Sequence, residues 1–252
     1  MTELEIAIRL SRMKGIGASV FRKLIDEFVL PSKALAFWLE QSADVREKLK
    51  VSQRKNPNEV FIENTLKKLN SREYFGSFYS QKDYPEQFNA LSEPPPVVYT
   101  ANKFKQCRYA AVVGSRKATE GQLILARKKT LELIEDGYAI VSGGALGVDN
   151  MALRTALERG ASPLAILGNG LDVVYPKENK ELFCEILKKG NLLSELMFGA
   201  QPQRGFFPTR NRLIAAMADV VIAIASSPKS GSLQTAKWAQ KIGKKKVLIF
   251  SA

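Results

Sequence analysis

Three arginines flank two adjacent phenylalanines in the segment QPQRGFFPTRNR. Arg204, Arg210 and Arg212 could each pair with a phosphate group, because a planar guanidinium presents parallel N–H donors to its oxygens. The ring of Phe206 or Phe207 could stack on an unpaired base. Neighbouring side chains of an extended segment point in opposite directions, so we expect one ring in the core and the other, Phe207, facing outward. This combination favours single-stranded nucleic acid over a duplex, in which the bases already stack on one another.

Four further loops that contain glycine follow apolar runs. Glycine lets the backbone approach a ligand closely, and a helix that follows offers free N–H groups to an anion. A single loop of this kind often only turns the chain, whereas several at one edge of a sheet indicate an anion site. The loops are GSRK at 114–117, SGGALG at 142–147, GNG at 168–170 and SGS at 230–232.

The charge balance indicates a partner with many negative charges. The 252 residues include 38 Lys and Arg against 25 Asp and Glu, which gives a net charge of +13. The chain has no histidine, which excludes Ser/His/Asp and Cys/His catalytic groups and argues against a zinc site. A dinucleotide fingerprint and a Walker loop are excluded too, because GSRKAT lacks G-x-G-x-x-G and no Gly-Lys-Ser/Thr triplet occurs. We therefore expect binding without catalysis, cofactor or metal.

The segments that must position these loops alternate between strands and helices from Arg108 onward. Short apolar strands joined by helices predict a mostly parallel, doubly wound sheet with helices on both faces. Thr119 and Gln122 predict a capping box at the start of the first of these helices, and Gly137 should end it. Because ligands bind beyond the carboxyl ends of parallel strands, the five loops should meet at one rim. The predicted strands are YAAVVG, YAIVSGG, LAILGNG, LLSEL, DVVIAIA and KKVLIF.

The sequence changes character near residue 70, where we place a domain boundary. Residues 1–70 contain helical patterns around a KGIG turn and predict a small all-α domain. Residues 71–252 begin with a stretch rich in proline and aromatic residues, in which VVYT predicts a short extended piece, and continue with the alternating pattern.

Two weaker features concern the cysteines and the chain start. Cys107 and Cys184 lie in apolar segments, so we expect buried thiols rather than a disulfide. No apolar run is long enough to cross a bilayer, and the start MTELEIAIRLSRMKGIG lacks the order of a secretory signal.

Seven pieces of the chain, in order over about residues 74–250, resemble the DNA-processing protein A family, also called DprA or Smf. The segment RLSRMKGIGASVFRKLIDEF resembles the helical SAM-like domain of that family, with its helix-hairpin-helix turn. The seven pieces are SQKDYPEQFNALSEPPPVVYT, AVVGSRKAT, IVSGGALGVDNMAL, GNGLDVVYPKEN, LLSEL, FPTRNRLIAAMADVVIAIASSPKSGSLQTAKWA and the final strand.

The resemblance implies an extended Rossmann-like domain that binds single-stranded DNA without sequence preference. It also implies a cytoplasmic role in natural transformation, protection of incoming strands, help in loading the RecA recombinase, and homodimers. The basic and aromatic positions that contact DNA in the family fall on Arg116, Arg204 and Phe207. With the pocket-lining motif positions and loop glycines, the expected DNA-binding set is Gly114, Ser115, Arg116, Lys117, Gly143, Gly144, Arg204, Gly205, Phe207, Arg210, Asn211, Ser230 and Gly231.

The sequence departs from the family pattern at three points. Leu153 stands where many members have a histidine after D-x-x-A. The sequence ends at Ala252, directly after its last strand, so we expect no C-terminal winged-helix module. We also expect the segment that closes the Rossmann domain after that strand to be missing or very short.

The main alternative is a nucleoside-monophosphate phosphoribohydrolase of the LOG type, which uses a related Rossmann fold. Those enzymes carry P-G-G-x-G-T-x-x-E, whereas this chain reads KSGSLQTA, with Gln234 and Thr235 near the carboxylate position. Asp149 and Glu195 remain as carboxylates, but we expect Asp149 to cap a helix or interact with its dipole, and Glu195 to order nearby arginines. Release of adenine from AMP would favour the enzyme.

A second alternative is a duplex-binding protein that holds phosphates at the KGIG turn. Competition between duplex and single strand at fixed salt separates the two modes of binding.

Overall fold

The computed structural model describes residues 1–49, 57–225, 230–243 and 246–251. Within them one sheet contains the strands β1 (Phe75–Phe78), β2 (Val97–Thr100), β3 (Tyr109–Gly114), β4 (Ala139–Ser142), β5 (Leu164–Ile166), β6 (Asn191–Ser194), β7 (Val220–Ala225) and β8 (Lys246–Ser251). Their order is β1-β2-β6-β5-β4-β3-β7-β8. The strands from β3 to β8 pair in parallel, whereas β2 is antiparallel to both β1 and β6.

Helices cover both faces of this sheet. Ala110 and Val112 of β3 pack into one apolar cluster with residues of the first two crossover helices. Ala111 and Val113, which point the other way, belong to a second cluster. The helices are α1 (Glu3–Leu10), α2 (Ala18–Phe28), α3 (Pro31–Leu49), α4 (Pro57–Asn70), α5 (Glu120–Glu135), α6 (Val148–Glu158), α7 (Lys180–Lys189), α8 (Phe206–Met217) and α9 (Ser232–Lys241). The predicted mostly parallel, doubly wound sheet is confirmed.

Local signals set the ends of several elements as expected. The Thr119 hydroxyl accepts from the Gln122 amide at 3.3 Å, and the Gln122 side chain accepts from the Thr119 amide at 3.0 Å. Gly137 ends α5 with φ of 80°. VVYT forms β2, but β1 is not predicted from the sequence, because FGSF lacks an alternating apolar pattern.

The order of the strands creates a crevice beside β3. The chain runs from β3 through β4 and β5 to β6 on one side, and then returns to place β7 on the other side of β3. Loops that leave such neighbouring strands in opposite directions open a space at the carboxyl ends, which is where ligands bind in this class of sheet. We refer to that edge of the sheet as the rim.

The N-terminal helices pack directly on the β1 side of the sheet. Leu4 of α1 and Leu69 of α4 lie so close to Gly76 that a Cβ there would be 3.1 Å from the Leu4 side chain. The Thr65 hydroxyl of α4 also accepts from the Phe198 amide at 3.3 Å. The two predicted domains therefore share an apolar core, and the boundary near residue 70 stays a prediction.

The expectation of two buried thiols is wrong, since Cys107 and Cys184 are both free and exposed. Cys107 lies on the loop before β3. On α7, the helical period buries Leu182 and Ile186 and leaves Cys184 on the outer face. In the part of the chain that is described, no helix combines the length and the apolar character needed to span a membrane.

Leu153 lies in α6 with no exposed surface, within the larger apolar cluster. We predict that Leu153→Ala lowers the free energy of unfolding by about 2–5 kcal/mol, because it leaves a cavity in a close-packed core. Urea denaturation measures the loss. Ile124→Ala, at a site that is 63% exposed on α5, is the control and should change the free energy by less than about 0.5 kcal/mol. Equal midpoints for both variants would contradict the packing described here.

Candidate nucleic-acid interface

Two adjoining cavities open at the rim. The first, termed the arginine cavity, has a volume of about 500 Å³, and its lining includes Gly114, Arg116, Arg204, Phe207, Asn211 and Gly231. The second, termed the glycine cavity, has a volume of about 370 Å³, and its lining includes Arg116, Gly143, Gly144, Tyr175, Lys177 and Phe207. The two cavities share five lining residues, which are Arg116, Ala145, Tyr175, Phe207 and Arg210.

Two arginines that are distant in the sequence, Arg116 and Arg204, both line the arginine cavity. Arg116 follows β3 and Arg204 precedes α8, and both are exposed. The guanidinium carbon of Arg116 lies 5.1 Å from the centroid of the Phe207 ring, which is a cation–π contact. Both cations can therefore reach one ligand that enters this cavity.

The phenylalanine pair differs from the expectation of one buried and one exposed ring. The segment is the first turn of α8 rather than an extended piece, so the two side chains diverge by about 100° instead of pointing in opposite directions. Both residues are half-buried. Phe207 lines the two rim cavities, and Phe206 lines a different cavity on the other side of the helix start.

Tyr175 is a site residue that the sequence analysis missed. Its ring centroid lies 5.5 Å from that of Phe207 with an interplanar angle of 33°, and the residue is 38% exposed. Together with Lys177 it comes from the loop after β5. An aromatic residue and a lysine on either side of a proline, beyond the end of a predicted strand, were the available signal.

Arg210 departs from the expected role of an exposed phosphate contact. It is buried, and its Nη1 donates to the carbonyl oxygen of Gly143 at 2.6 Å and also to that of Ile166. Burial lowers the pKa of Arg210 to about 10, against the opposing effect of the nearby Asp149 carboxylate. This arginine ties the ends of β4 and β5 together behind the cavities.

Asp149 is the buried acidic partner at the rim. Its carboxylate accepts from the amides of Gly114 at 3.2 Å, Gly143 at 3.1 Å and Ala145 at 3.3 Å. It is not the N-cap of its own helix, which is Gly147. Burial raises the pKa of the Asp149 carboxyl, while Arg210 and the three amides lower it. Asp149 lies in the first turn of α6, as expected of a dipole partner, and it braces the loops that follow β3 and β4.

The glycines of these loops are required by close approaches. Gly147 has φ of 75°, and a Cβ there would lie 2.2 Å from the carbonyl oxygen of Ser115. A Cβ on Gly143 would lie 2.5 Å from Arg210 Nη2 and 2.7 Å from Asp149 Oδ2. A side chain at Gly147 would displace the backbone of the loop after β3, and one at Gly143 would displace Arg210 and Asp149.

The remaining predicted site residues take varied places. Ser115 is buried, and its hydroxyl accepts from the amide of Lys117 at 3.2 Å. Asn211 donates its side-chain amide to the carbonyl oxygen of Gly231 at 3.3 Å and so links α8 to the start of α9. Within the described residues, Lys117, Gly205 and Ser230 line neither rim cavity, although Lys117 and Gly205 are exposed beside them.

One carboxylate, that of Glu178, lines the glycine cavity. Gln234 and Thr235 line the arginine cavity, and among the described lining residues its single carboxylate is Asp149, which is engaged in the brace. Glu195 forms an ion pair with Arg212 elsewhere, in agreement with the expectation that it orders an arginine. Across the described ranges, no three His, Cys, Asp or Glu side chains are grouped to hold a metal.

Comparison with protein families places residues 77–251 in one of them, the DNA recombination-mediator protein A family. Protein Smf of Synechocystis is 33% identical over 93% of this chain and 61% of its own length. DNA processing protein DprA of Streptococcus pneumoniae is 36% identical over 68% of this chain and 61% of its own. The chain therefore spans less than two thirds of the length of these curated relatives.

Two solved structures have the same fold. The X-ray structure of DprA from Streptococcus pneumoniae matches with a TM-score of 0.70 and 29% identity, over 100% of this chain and 86% of that one. DNA processing protein A from Helicobacter pylori, solved to study its single-stranded DNA binding mode, matches with a TM-score of 0.63 and 34% identity. That match covers 70% of this chain and 80% of the other.

The Asp149 brace generates a stability prediction. Asp149→Asn removes the counter-charge of buried Arg210 and turns an amide donor toward backbone N–H groups, so the free energy of unfolding should fall by about 3–5 kcal/mol. Urea denaturation at neutral pH measures it. Asp219→Asn, at an exposed position before β7, is the matched control and should change the value by less than about 0.5 kcal/mol. An unaltered midpoint for Asp149→Asn would show that the brace does not hold the loops.

Proposed function

This chain belongs to the DNA recombination-mediator protein A family, whose members include the DprA and Smf proteins, and from that premise we propose that its rim binds single-stranded DNA without sequence preference. The observation that carries the proposal is that Arg116 and Arg204 line one cavity with the ring of Phe207. The Helicobacter pylori relative, studied for its single-stranded DNA binding, supports the same ligand class.

The proposed contacts do not depend on the base sequence of the DNA. Guanidinium groups and amides bind the phosphates, which are the same at every nucleotide, and a stacking ring accepts any base because every base has a flat face. A duplex keeps its bases stacked inside and cannot offer one to Phe207. The rim therefore favours unpaired DNA.

The cation–π contact suggests how the site responds when a nucleotide enters. Arg116 covers the Phe207 ring at 5.1 Å in the free protein. An exposed cation–π contact contributes about 0.5–1 kcal/mol, whereas a stacked base contributes about 1–3 kcal/mol. Exchange of Arg116 for a base is therefore favourable, and it releases the guanidinium to bind a phosphate of the same strand.

We extend the proposal to the cellular role through the family. A recombination mediator would protect incoming single strands and help to load the RecA recombinase on them during natural transformation in the cytoplasm, without a catalytic step of its own. Family membership supports this role, as does a cluster of cations on one rim. A homodimer stays a prediction.

Arg116→Ala and Arg204→Ala should each weaken binding of all single-stranded sequences alike, by about tenfold at low salt. Each variant loses about one phosphate contact, so the slope of log affinity against log salt should become shallower by about 0.7. Fluorescence anisotropy with labelled oligothymidylate and a mixed sequence, over a salt series, measures both. Arg159→Ala removes an exposed arginine at the far end of α6 and is the matched control. Slopes equal to wild type in both rim variants would overturn the phosphate contacts.

Phe207→Ala should weaken single-strand binding by about 1–3 kcal/mol, because a stacked base loses its platform. The salt slope should stay at the wild-type value, since stacking releases no counterions. The same anisotropy titrations give both quantities. Phe61→Ala, at a 39% exposed ring on α4, is the control. A Phe207→Ala protein that binds as tightly as wild type would exclude the stacking role.

A further inference from the structure

A third cavity, of about 380 Å³, lies on the other side of the start of α8. One wall is the turn between α1 and α2, with Arg12, Gly17 and Ala18, and the opposite wall includes Phe206 and Thr209. We term it the turn cavity. It is the place where the N-terminal helices meet the rim, and no residue of it belongs to the set predicted from the sequence except Arg210.

Positive charge exceeds negative charge around the turn cavity. Glu195 is largely buried and forms an ion pair with Arg212, and Arg12 acts on the same carboxyl electrostatically. Two arginines thus share one carboxylate. The Nε of Arg12 is buried and has no hydrogen-bond acceptor in the described residues. Because Arg12 lines the cavity and is partly exposed, its positive charge favours an anion there.

The backbone at the turn adds donors of the same kind. α2 begins after Gly17, which has extended φ of −83° and ψ of 177°, and no side chain caps the helix. Its first turn contains no acidic residue. The positive end of α2 therefore faces the cavity without a competing carboxylate, on the same side as Arg12.

The turn cavity adjoins the proposed DNA site. Gly168 lines both the turn cavity and the glycine cavity, and a Cβ there would lie 2.9 Å from the Phe207 ring. Phe206 faces the turn cavity and its neighbour Phe207 faces the rim cavities. A strand that crosses the first turn of α8 can thus place successive nucleotides on either side of it.

We propose that the turn cavity is a second nucleotide site for the same single strand. Arg12 and the amino end of α2 hold a phosphate there, and the ring of Phe206 contacts the base. The inference rests on the proposed function, because the strand must first occupy the rim. It assigns the N-terminal helices a direct part in binding DNA.

The test compares oligothymidylates of increasing length. In the wild type, affinity should rise at the length that reaches from the rim into the turn cavity. Arg12→Ala should remove this rise, with about tenfold weaker binding of long strands and unchanged binding of the shortest strands that bind. The salt slope for long strands should become shallower by about 0.7. Lys14→Ala, in the same turn but exposed and outside the lining, is the matched control.

Gly17→Asp provides a second variant that keeps the fold. A Cβ at Gly17 meets no atom within 4 Å, and its backbone angles suit an N-cap aspartate, so the melting temperature should stay equal or rise. The carboxylate would occupy the proposed phosphate position, so the affinity for long strands should fall by about tenfold. Gly17→Asn caps the helix without the charge and should bind long strands more tightly than Gly17→Asp.

The outcomes separate this inference from the proposed function. If the wild type binds no single strand at low salt, the proposed function fails and the second site fails with it. If short strands bind but Arg12→Ala and Gly17→Asp match the wild type at every length, only the second site is overturned. Equal losses at all lengths would also overturn it, since Arg12 would then act on the rim indirectly.

Discussion

The buried pair of Asp149 and Arg210 is the interaction on which the rim depends. The carboxylate binds amides at the ends of β3 and β4, and the guanidinium binds carbonyl oxygens at the ends of β4 and β5. Three neighbouring strands are thereby joined at their carboxyl ends, and α6 and α8 are held against them. Desolvation makes such a pair a weak source of stability, and what it supplies is one fixed geometry for loops that would otherwise move independently.

Two arginines of the same short segment have different roles, and only one of them belongs to the brace. Arg210 is buried and donates hydrogen bonds to backbone carbonyl oxygens. Arg204, six residues earlier, is exposed and lines the arginine cavity. Arg116 is exposed like Arg204, but its guanidinium also makes a cation–π contact with the Phe207 ring. The proposed exchange of Arg116 between the Phe207 ring and a phosphate needs a rigid support, and the brace provides one.

The sequence predicts the sheet well because its signals are local. Apolar runs, the Thr119 capping box and Gly137 each act within a few residues, and the strands and helices follow them. The geometry of the rim is harder to predict from the sequence, because the partners of Asp149 and Arg210 come from separate loops. In addition, nothing in QPQRGFFPTRNR distinguishes a buried arginine from an exposed one. One local signal was misread: Pro208 is favoured in the first turn of a helix, and it indicated a helical rather than an extended start for the phenylalanine pair.

Three of the helices that begin at these cavities share a feature that α6, which also begins there, lacks. α1 and α5 start with complete Thr capping boxes, so their first amides are already bound by side chains. α2, α8 and α9 instead start after glycine, with neither a side-chain cap nor an acidic residue in the first turn. A hydroxyl or carboxylate at those positions would stabilise the helix but would compete with a phosphate for the same N–H groups. Uncapped helix starts beside arginines therefore give up a little helix stability and leave N–H groups free for the phosphates of the proposed DNA site.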